Sequence, residues 1–564
     1  MSEDQTSGPL SRRSILRGGA VAGAAAAVSA FGGESAASAH GQYRDGALRA
    51  DLVLYNGRIH TMDARNRIAS VVAIQDGKIV YVGNDDRAAK RGFEGNPRTI
   101  NLRGRTAIPG LIDCHNHIVL MGNRPGYHTP LENAYSVADV QNIYRDRAKH
   151  VPAGKFISTI GGFHFNQFKE VRLPTLAELD KAVPNHPAYI SIGFTGPSVT
   201  NTLGKKFFEA APLAVTVGAD GSIAGGTETG KATLALRHTL TDADRRRSAL
   251  DAMAYAVSLG VTTHLDQGAF QKTDTPSDGA AHEDNYTMNL PFLKLYDDGL
   301  AAVRLRINYL HQDADTNVTT LTQRIQNAFK FFGNDMVRTG AIGEFIALSY
   351  FGGPVFLEAA RKSAKAGWRI EVHSLTGTDF QTQIQAFETV NTEIGIKDLR
   401  WVIAHVPRIS TEYLDRFKAI GGGVNLTSYQ YLAGTGPTSG PPFRTIVDNG
   451  IPAGMSSDGM QIAPMNPWIH AYYAVTGKNA LGNQINAGQQ ISRQELLHLY
   501  TRANQWFLGG EDEDLLGSLE VGRLGDVVVL NDDYFTVPDE KLKQLHSVLT
   551  VVGGAVVHDT GDVR

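Results

Sequence analysis

Between about residues 109 and 500 the chain alternates short apolar runs with longer amphipathic stretches, and this alternation limits the fold more than any other feature. Val261-Thr-Thr-His264, Ile342-Gly-Glu-Phe345, Arg369-Ile-Glu-Val-His373 and Trp401-Val-Ile-Ala-His405 read as strands, with helix-like stretches such as 379–394 and 411–420 between or after them. A strand, a helix and a second strand in repetition predict parallel βα units. Eight such units closing on themselves make a (β/α)8 TIM-like barrel of the α/β class, a size that the length accommodates. One long insertion is expected between about 120 and 250. The segment Asp242-Ala-Asp-Arg-Arg-Arg predicts a helix ending near Leu259, with its charge run on a solvated face.

The two ends read differently. Asp51–Tyr55, Ser70–Ile74 and Lys78–Val82 are short apolar runs, and Asp76-Gly77 between the last two is a hairpin signal. Gly525–Leu530, Val548–Val552 and Ala555–His558 form a similar set at the other end. Together they predict one small β-sandwich domain built from 50–108 plus 511–564, which leaves 109–510 to the barrel. A length of 564 residues suggests three or four domains; the pattern reduces that to two.

Residues 11–17 read Ser-Arg-Arg-Ser-Ile-Leu-Arg, followed by a small, apolar run from Gly18 to about Phe31 and then Ala-Ser-Ala. A charged start, a short apolar core and small residues predict a twin-arginine-type export signal over 1–40, cleaved near Ala39, with a periplasmic or extracellular destination. The run is too weak for a spanning helix, and no other stretch is long enough, so stable membrane insertion is not expected. A net charge of −3 offers no footprint for nucleic acid. The single cysteine, Cys114, excludes an intrachain disulfide framework and a Cys-based zinc finger. The implied partners are a small-molecule substrate and the export machinery, with a second copy of the chain left open.

The chemistry concentrates in Ile108-Pro-Gly-Leu-Ile-Asp-Cys-His-Asn-His-Ile118. In a strand alternate side chains share a face, so Asp113, His115 and His117 point one way and Cys114 and Asn116 the other. Two imidazoles at i and i+2, where a barrel strand ends, can meet on one metal ion. Cys114 is then a packing residue behind the pair.

With this motif, the closing segment Gly517-Ser-Leu-Glu-Val-Gly-Arg-Leu-Gly-Asp526 and the inner segments Arg172–Asp180 and Gly260–Asp266, the chain resembles the amidohydrolase superfamily. The branch it is most similar to is that of N-substituted formamide deformylases and exoenzyme-regulator-like hydrolases. The resemblance implies a divalent-metal barrel with ligands at strand ends: His115 and His117 on the first strand, His373 on the fifth, His405 on the sixth and Asp458 on the eighth. Zinc is the default for such nitrogen and oxygen ligands, with manganese, iron and cobalt as alternatives and one or two ions. It further implies hydrolysis of a non-peptide, amide-type C–N bond by metal-bound hydroxide. Asp458 would be the general base, with His373 and His405 beside it at the catalytic centre. Deamination of an amino-heterocycle, cyclic amide or ester hydrolysis, and an exported non-catalytic binding protein are the competing readings.

Two departures from the family pattern stand out. Many relatives carry a bridging lysine on the fourth strand, whereas Thr339-Gly-Ala-Ile-Gly-Glu-Phe345 has none; Glu344 is the nearest carboxylate and could bridge with its two oxygens. Gly196-Pro197 replaces a histidine that close relatives place before Ser-Val-Thr-Asn. His164, Asn166, His264, Asp266, Tyr429 and Trp468 are candidate substrate contacts.

Overall fold

The Asp76-Gly77 turn sets the first sheet. Both residues adopt positive φ, 48° and 77°, as a two-residue hairpin with right-handed strand twist requires. In the computed structural model, which describes residues 48–85, 92–193, 195–210, 214–268, 285–460, 462–510 and 512–564, the chain forms β1 (Leu52–His60), β2 (Ile68–Gln75), β3 (Lys78–Gly83), β4 (Arg98–Asn101), β5 (Thr106–Pro109), β6 (Leu111–Asn116), β7 (Val261–Asp266), β8 (Arg304–Tyr309), β9 (Val337–Ile342), β10 (Glu371–Ser374), β11 (Val402–His405), β12 (Gly423–Leu426), β13 (Ala453–Met455), β14 (Val527–Leu530), β15 (Ser547–Val552) and β16 (Ala555–Asp559). The export signal expected over 1–40 lies outside the described residues.

Both ends of the chain join one sheet. β14 pairs antiparallel with β5, giving the order β16-β15-β14-β5-β1-β2-β3, with β4 parallel to β1. The strands of the expected sandwich domain are joined in one eight-stranded hydrogen-bonded sheet. Period-2 alternation gives it an apolar face on each side. Leu52 and Leu54 pack with Val527, Val529 and Leu549, while Val53 packs with Val71 and Ala73.

The middle of the chain is α/β with parallel strands. β6-β7-β8-β9 form one four-stranded parallel sheet and β10-β11-β12-β13 another. A continuous eight-strand ladder was the expectation; two half-ladders are what form. On one seam a single bridge, Ile342 to Ile370, joins β9 to β10. On the other, side chains replace the ladder: Asn504 Nδ2 donates to Ile112 O (2.5 Å) and Met455 O (2.8 Å), and the Cys114 thiol donates to Met455 O. Helices pack their apolar faces on this body, with Phe380, Phe387, Trp401 and Phe417 in one continuous core. Capping boxes start two of them: Thr241 with Asp244 opens Asp242–Leu259, and Thr376 with Asp379 opens Gly377–Glu393. Gly260 ends the first at φ 89°, and a Cβ there would meet Val528 Cγ1 at 2.7 Å, so only glycine lets that helix close on β14.

The insertion carries a five-stranded sheet of its own, Tyr127–His128, Ile157–Ile160, Ala188–Ser191, Ser198–Thr200 and Ser222–Ile223. The charge run 242–247 is not a solvated face throughout. Arg245 is buried and donates to Asn123 Oδ1 at 2.7 Å, because its helix face packs against the segment after β6.

The same alternation makes one side of β8 polar. Leu305 and Ile307 enter the apolar core, while Arg304 and Arg306 point to the opposite side and are buried there. Asp526 takes Arg304 in a two-pronged pair (2.8 Å each), and Asp512 takes Arg306. Breaking a buried pair strands a charge, so Asp526→Asn should destabilise by ~3–5 kcal/mol, read as a lowered thermal midpoint. Asp526→Leu combined with Arg304→Met should recover most of that loss, and no recovery would refute the stranded-charge account.

Candidate metal centre

Strand termination gathers the polar groups. His115 lies at the end of β6, His373 in β10 and His405 at the end of β11. His117 follows β6, Glu344 lies two residues past β9 and Asp458 three past β13. One ligand atom each from His115, Glu344, His405 and Asp458 lies within 4.8 Å of the others, and all four residues are buried. Glu344 Oε2 lies 3.3 Å from His115 Nε2 and 3.1 Å from His117 Nε2. Its other oxygen, Oε1, lies 2.5 Å from His373 Nδ1 and 3.7 Å from His405 Nε2. Asp458 Oδ1 is 3.3 Å from His117 Nε2, and Oδ2 is 3.8 Å from His405 Nδ1.

The backbone holds these groups in uncommon conformations. His405 and Asp458 have φ of 72° and 55°, the left-handed region that side chains rarely enter. Asp113 holds the second of these turns: it accepts the hydroxyl of Ser457 and the Ser457 amide (3.0 Å). Asp458 N then donates to His115 O (2.9 Å) and His117 N to Gly459 O (2.8 Å), so the β6 and β13 ends are tied together.

Outer partners set the tautomers. His115 Nδ1 lies 2.7 Å from Glu371 Oε1; the tautomer that donates there would leave Nε2 as a metal donor facing the cluster. Glu371 is fully buried and also accepts from Asn425 (2.7 Å) and Gln267 (3.0 Å). His117 Nδ1 faces Gly268 O at 3.4 Å, again leaving Nε2 for the centre. His115 Nε2 and Glu344 Oε2 are buried with no hydrogen-bond partner. Buried polar atoms without partners are rare, and a shared cation satisfies both.

The electrostatics agree. Burial opposes charge on His117, but Asp458 and Glu344 outweigh it and raise its pKa to about 10. Burial would raise Glu344, yet His373 and the imidazoles of His115 and His117 hold it well below the usual carboxylate range. A pocket that favours positive charge this strongly, with nitrogen and oxygen donors and no thiolate, fits a divalent ion such as zinc. The Cys114 thiol, turned to Met455 O, is pushed up by burial and then by Glu371 and Asp113.

The other sequence candidates divide. Tyr429 lies beside the centre, its ring 6.5 Å from that of His405. His164 caps a short 3₁₀ turn, accepting from Asn166 N at 3.1 Å. Their segment abuts the loop after Asp458, since a Cβ on Gly162 would meet Met460 Cε at 2.7 Å. His264 is fully buried; Asn116 lies 2.8 Å from its Nδ1, and burial lowers its pKa to about 3. Asp266 anchors backbone instead of facing a pocket: it accepts from Val119 N and Gly268 N, both 2.9 Å. Trp468 belongs to the core, its indole donating to Leu259 O at 3.0 Å and its ring packed on Tyr534, because its helix turns that face inward.

Glu371 and Glu132 were not anticipated. Glu371 had a signal: it stands two residues before His373, and period 2 puts both on one face. Glu132 had none. It accepts from Tyr255, Met465 N and Asn466 N (3.1 Å), and so ties the insertion to the loop after Asp458.

Residues 98–558 match the model of a family described as the amidohydrolase family. N-substituted formamide deformylase from Arthrobacter pascens is 22% identical, over 90% of this chain and 98% of its own length. Among solved structures, an uncharacterized metal-dependent hydrolase from Pyrococcus horikoshii superposes with a TM-score of 0.59 at 17% identity, over 87% of this chain and 99% of that one. Atrazine chlorohydrolase TrzN from Arthrobacter aurescens, complexed with zinc, gives 0.53 at 18% identity, over 90% and 95%. The fold is thus TIM-barrel-like.

If Glu371 sets the His115 tautomer, Glu371→Gln should weaken metal binding about 10–100-fold, as loss of an outer carboxylate does. Competition with a chelator measures this, and unchanged affinity would discard the assignment.

Proposed function

The chain belongs to the amidohydrolase family of metal-dependent hydrolases, and on that premise we propose that it cleaves an amide-type, non-peptide C–N bond of a small molecule at a centre where Glu344 would bridge two divalent ions held by His115, His117, His373 and His405. One observation carries this reading: the two oxygens of one buried carboxylate face two histidine pairs, Oε2 toward His115 and His117 and Oε1 toward His373 and His405. The two half-ladders would act as a closed (β/α)8 barrel, with all ligands at the C-terminal strand ends, where such barrels carry their sites.

A divalent ion there supplies Lewis acidity, which lowers the pKa of a water to about 7 and polarises a carbonyl. The chain supplies the rest. Asp458, held ionised by His405 and His117 against its burial, accepts the proton of the attacking water and passes it to the leaving nitrogen, so that amide and water become acid and amine. Burial keeps the Tyr429 phenol protonated, its pKa raised to about 12, so it can donate a hydrogen bond to the substrate oxygen. N-formyl and N-acyl amines are the substrate class to try first, in line with the deformylase relative. Export through the 1–40 signal belongs to the same reading.

Asp458→Asn should keep its metal and lose about 10²–10⁴-fold in turnover, the usual contribution of a positioned general base; retained hydrolysis of whichever N-formyl or N-acyl compound the wild type accepts would refute its role. Glu344→Gln should lower the metal count per chain, and an unchanged count would exclude the bridge. Because imidazoles bind metal only when deprotonated, acidification should release the ions, measured by metal analysis after dialysis.

A further inference from the structure

The opposite face of the barrel carries a buried guanidinium two of whose nitrogens make no hydrogen bond among the described residues. Arginines stand within the first three residues of β8, second in β9 and two residues before β10, and most of these cations are neutralised. Arg304 pairs with Asp526, Arg306 with Asp512, and Arg338 with Asp335 (3.1 Å). Arg369, just before β10, is the exception: it is 5% exposed, and its Nε and Nη1 are buried with no hydrogen-bond partner. A buried guanidinium with unmet donors is costly, so the position calls for an acceptor.

Arg369 lies at a cleft of about 400 Å³ lined also by Lys330, Arg400, Gly509, Gly510 and Glu513. The cleft sits where Gly367 and Asp398 precede β10 and β11, hence at the N-terminal strand ends, away from the metal ligands. Its acidic groups do not reach Arg369: Glu513 is paired with Arg400 at 2.7 Å, and Asp398 makes no ion pair with Arg369. Lys330 stands exposed at the rim, held by Gly367 O at 2.6 Å. Gly509 lies near the guanidinium: a Cβ there would lie 3.0 Å from the Phe331 ring and 3.9 Å from Arg369 Nη1. Burial lowers the Arg369 pKa to about 10, and the nearby Glu371 carboxylate counters part of that shift, so the group stays charged at neutral pH.

From the unpaired guanidinium, the flanking Lys330 and the open cleft before it, we infer that this face binds a small oxyanion, with Arg369 as the buried ligand and Lys330 as the outer one. Planar guanidinium donors match two oxygens of a phosphate or carboxylate at once. The site is separate from the metal centre, but Arg369 stands two residues before Glu371, and Glu371 holds His115.

Calorimetric titration of inorganic phosphate into the full-length, metal-loaded protein tests this. The expected result is saturable binding that weakens about tenfold in Arg369→Gln, the loss of roughly one charge-assisted hydrogen bond, and several-fold in Lys330→Glu. Phosphate held at the metal centre would be indifferent to Lys330→Glu, and that exposed position should not disturb folding. Absence of saturable binding, or binding unaffected by Lys330→Glu, would overturn the site even if Arg369→Gln failed to fold.

Discussion

Everything at the centre follows from one carboxylate placed out of water among four imidazoles. Glu344 is buried, and isolated ionised groups do not survive burial unless paired. Its neighbours meet that demand from two sides, and the strand ends that carry them must arrive together for either side to be met. The half-ladders β6–β9 and β10–β13 therefore answer to the same requirement: each delivers part of the set, and neither alone surrounds Glu344. Glu371 repeats the logic one layer down, where Asn425, Gln267 and His115 satisfy a second buried carboxylate and in doing so aim His115.

Polar side chains also do work that backbone ladders leave undone. At the β6–β13 seam Asn504 bridges two carbonyls, and Asp113 with Ser457 shapes the turn that presents Asp458. Farther down, Asp512 and Asp526, from the C-terminal part of the chain, neutralise the arginines of β8. The terminal sheet and the parallel body are thus joined by charge as well as by the packing of Gly260 on Val528.

The insertion reaches the centre indirectly. Glu132 grips the amides of Met465 and Asn466, and Arg124 donates to Met460 O (3.1 Å), so the loop after Asp458 is held from the insertion side. Burial raises the Glu132 pKa to about 7, against its hydrogen bonds from Tyr255 and the two amides. A carboxylate of the insertion in this way steadies the turn that presents Asp458.

Local pattern was enough for many of the elements. The Asp76-Gly77 hairpin, the helix Asp242–Leu259 with its cap, and the strands that end in His115, His373 and His405 all follow from period, turn chemistry and capping, which depend on neighbours a few residues away. The same period places Glu371 beside His373. Local pattern could not say that Trp468 and Asp266 serve packing and backbone anchoring, that Arg245 is buried, or that strands from both parts of the chain join one hydrogen-bonded sheet. Nor could it reveal which oxygen of Glu344 faces which histidines, or that two buried nitrogens of Arg369 make no hydrogen bond among the described residues. Those outcomes rest on distances between residues far apart in the chain, fixed when strands pair, helices choose a buried face and desolvated charges find partners.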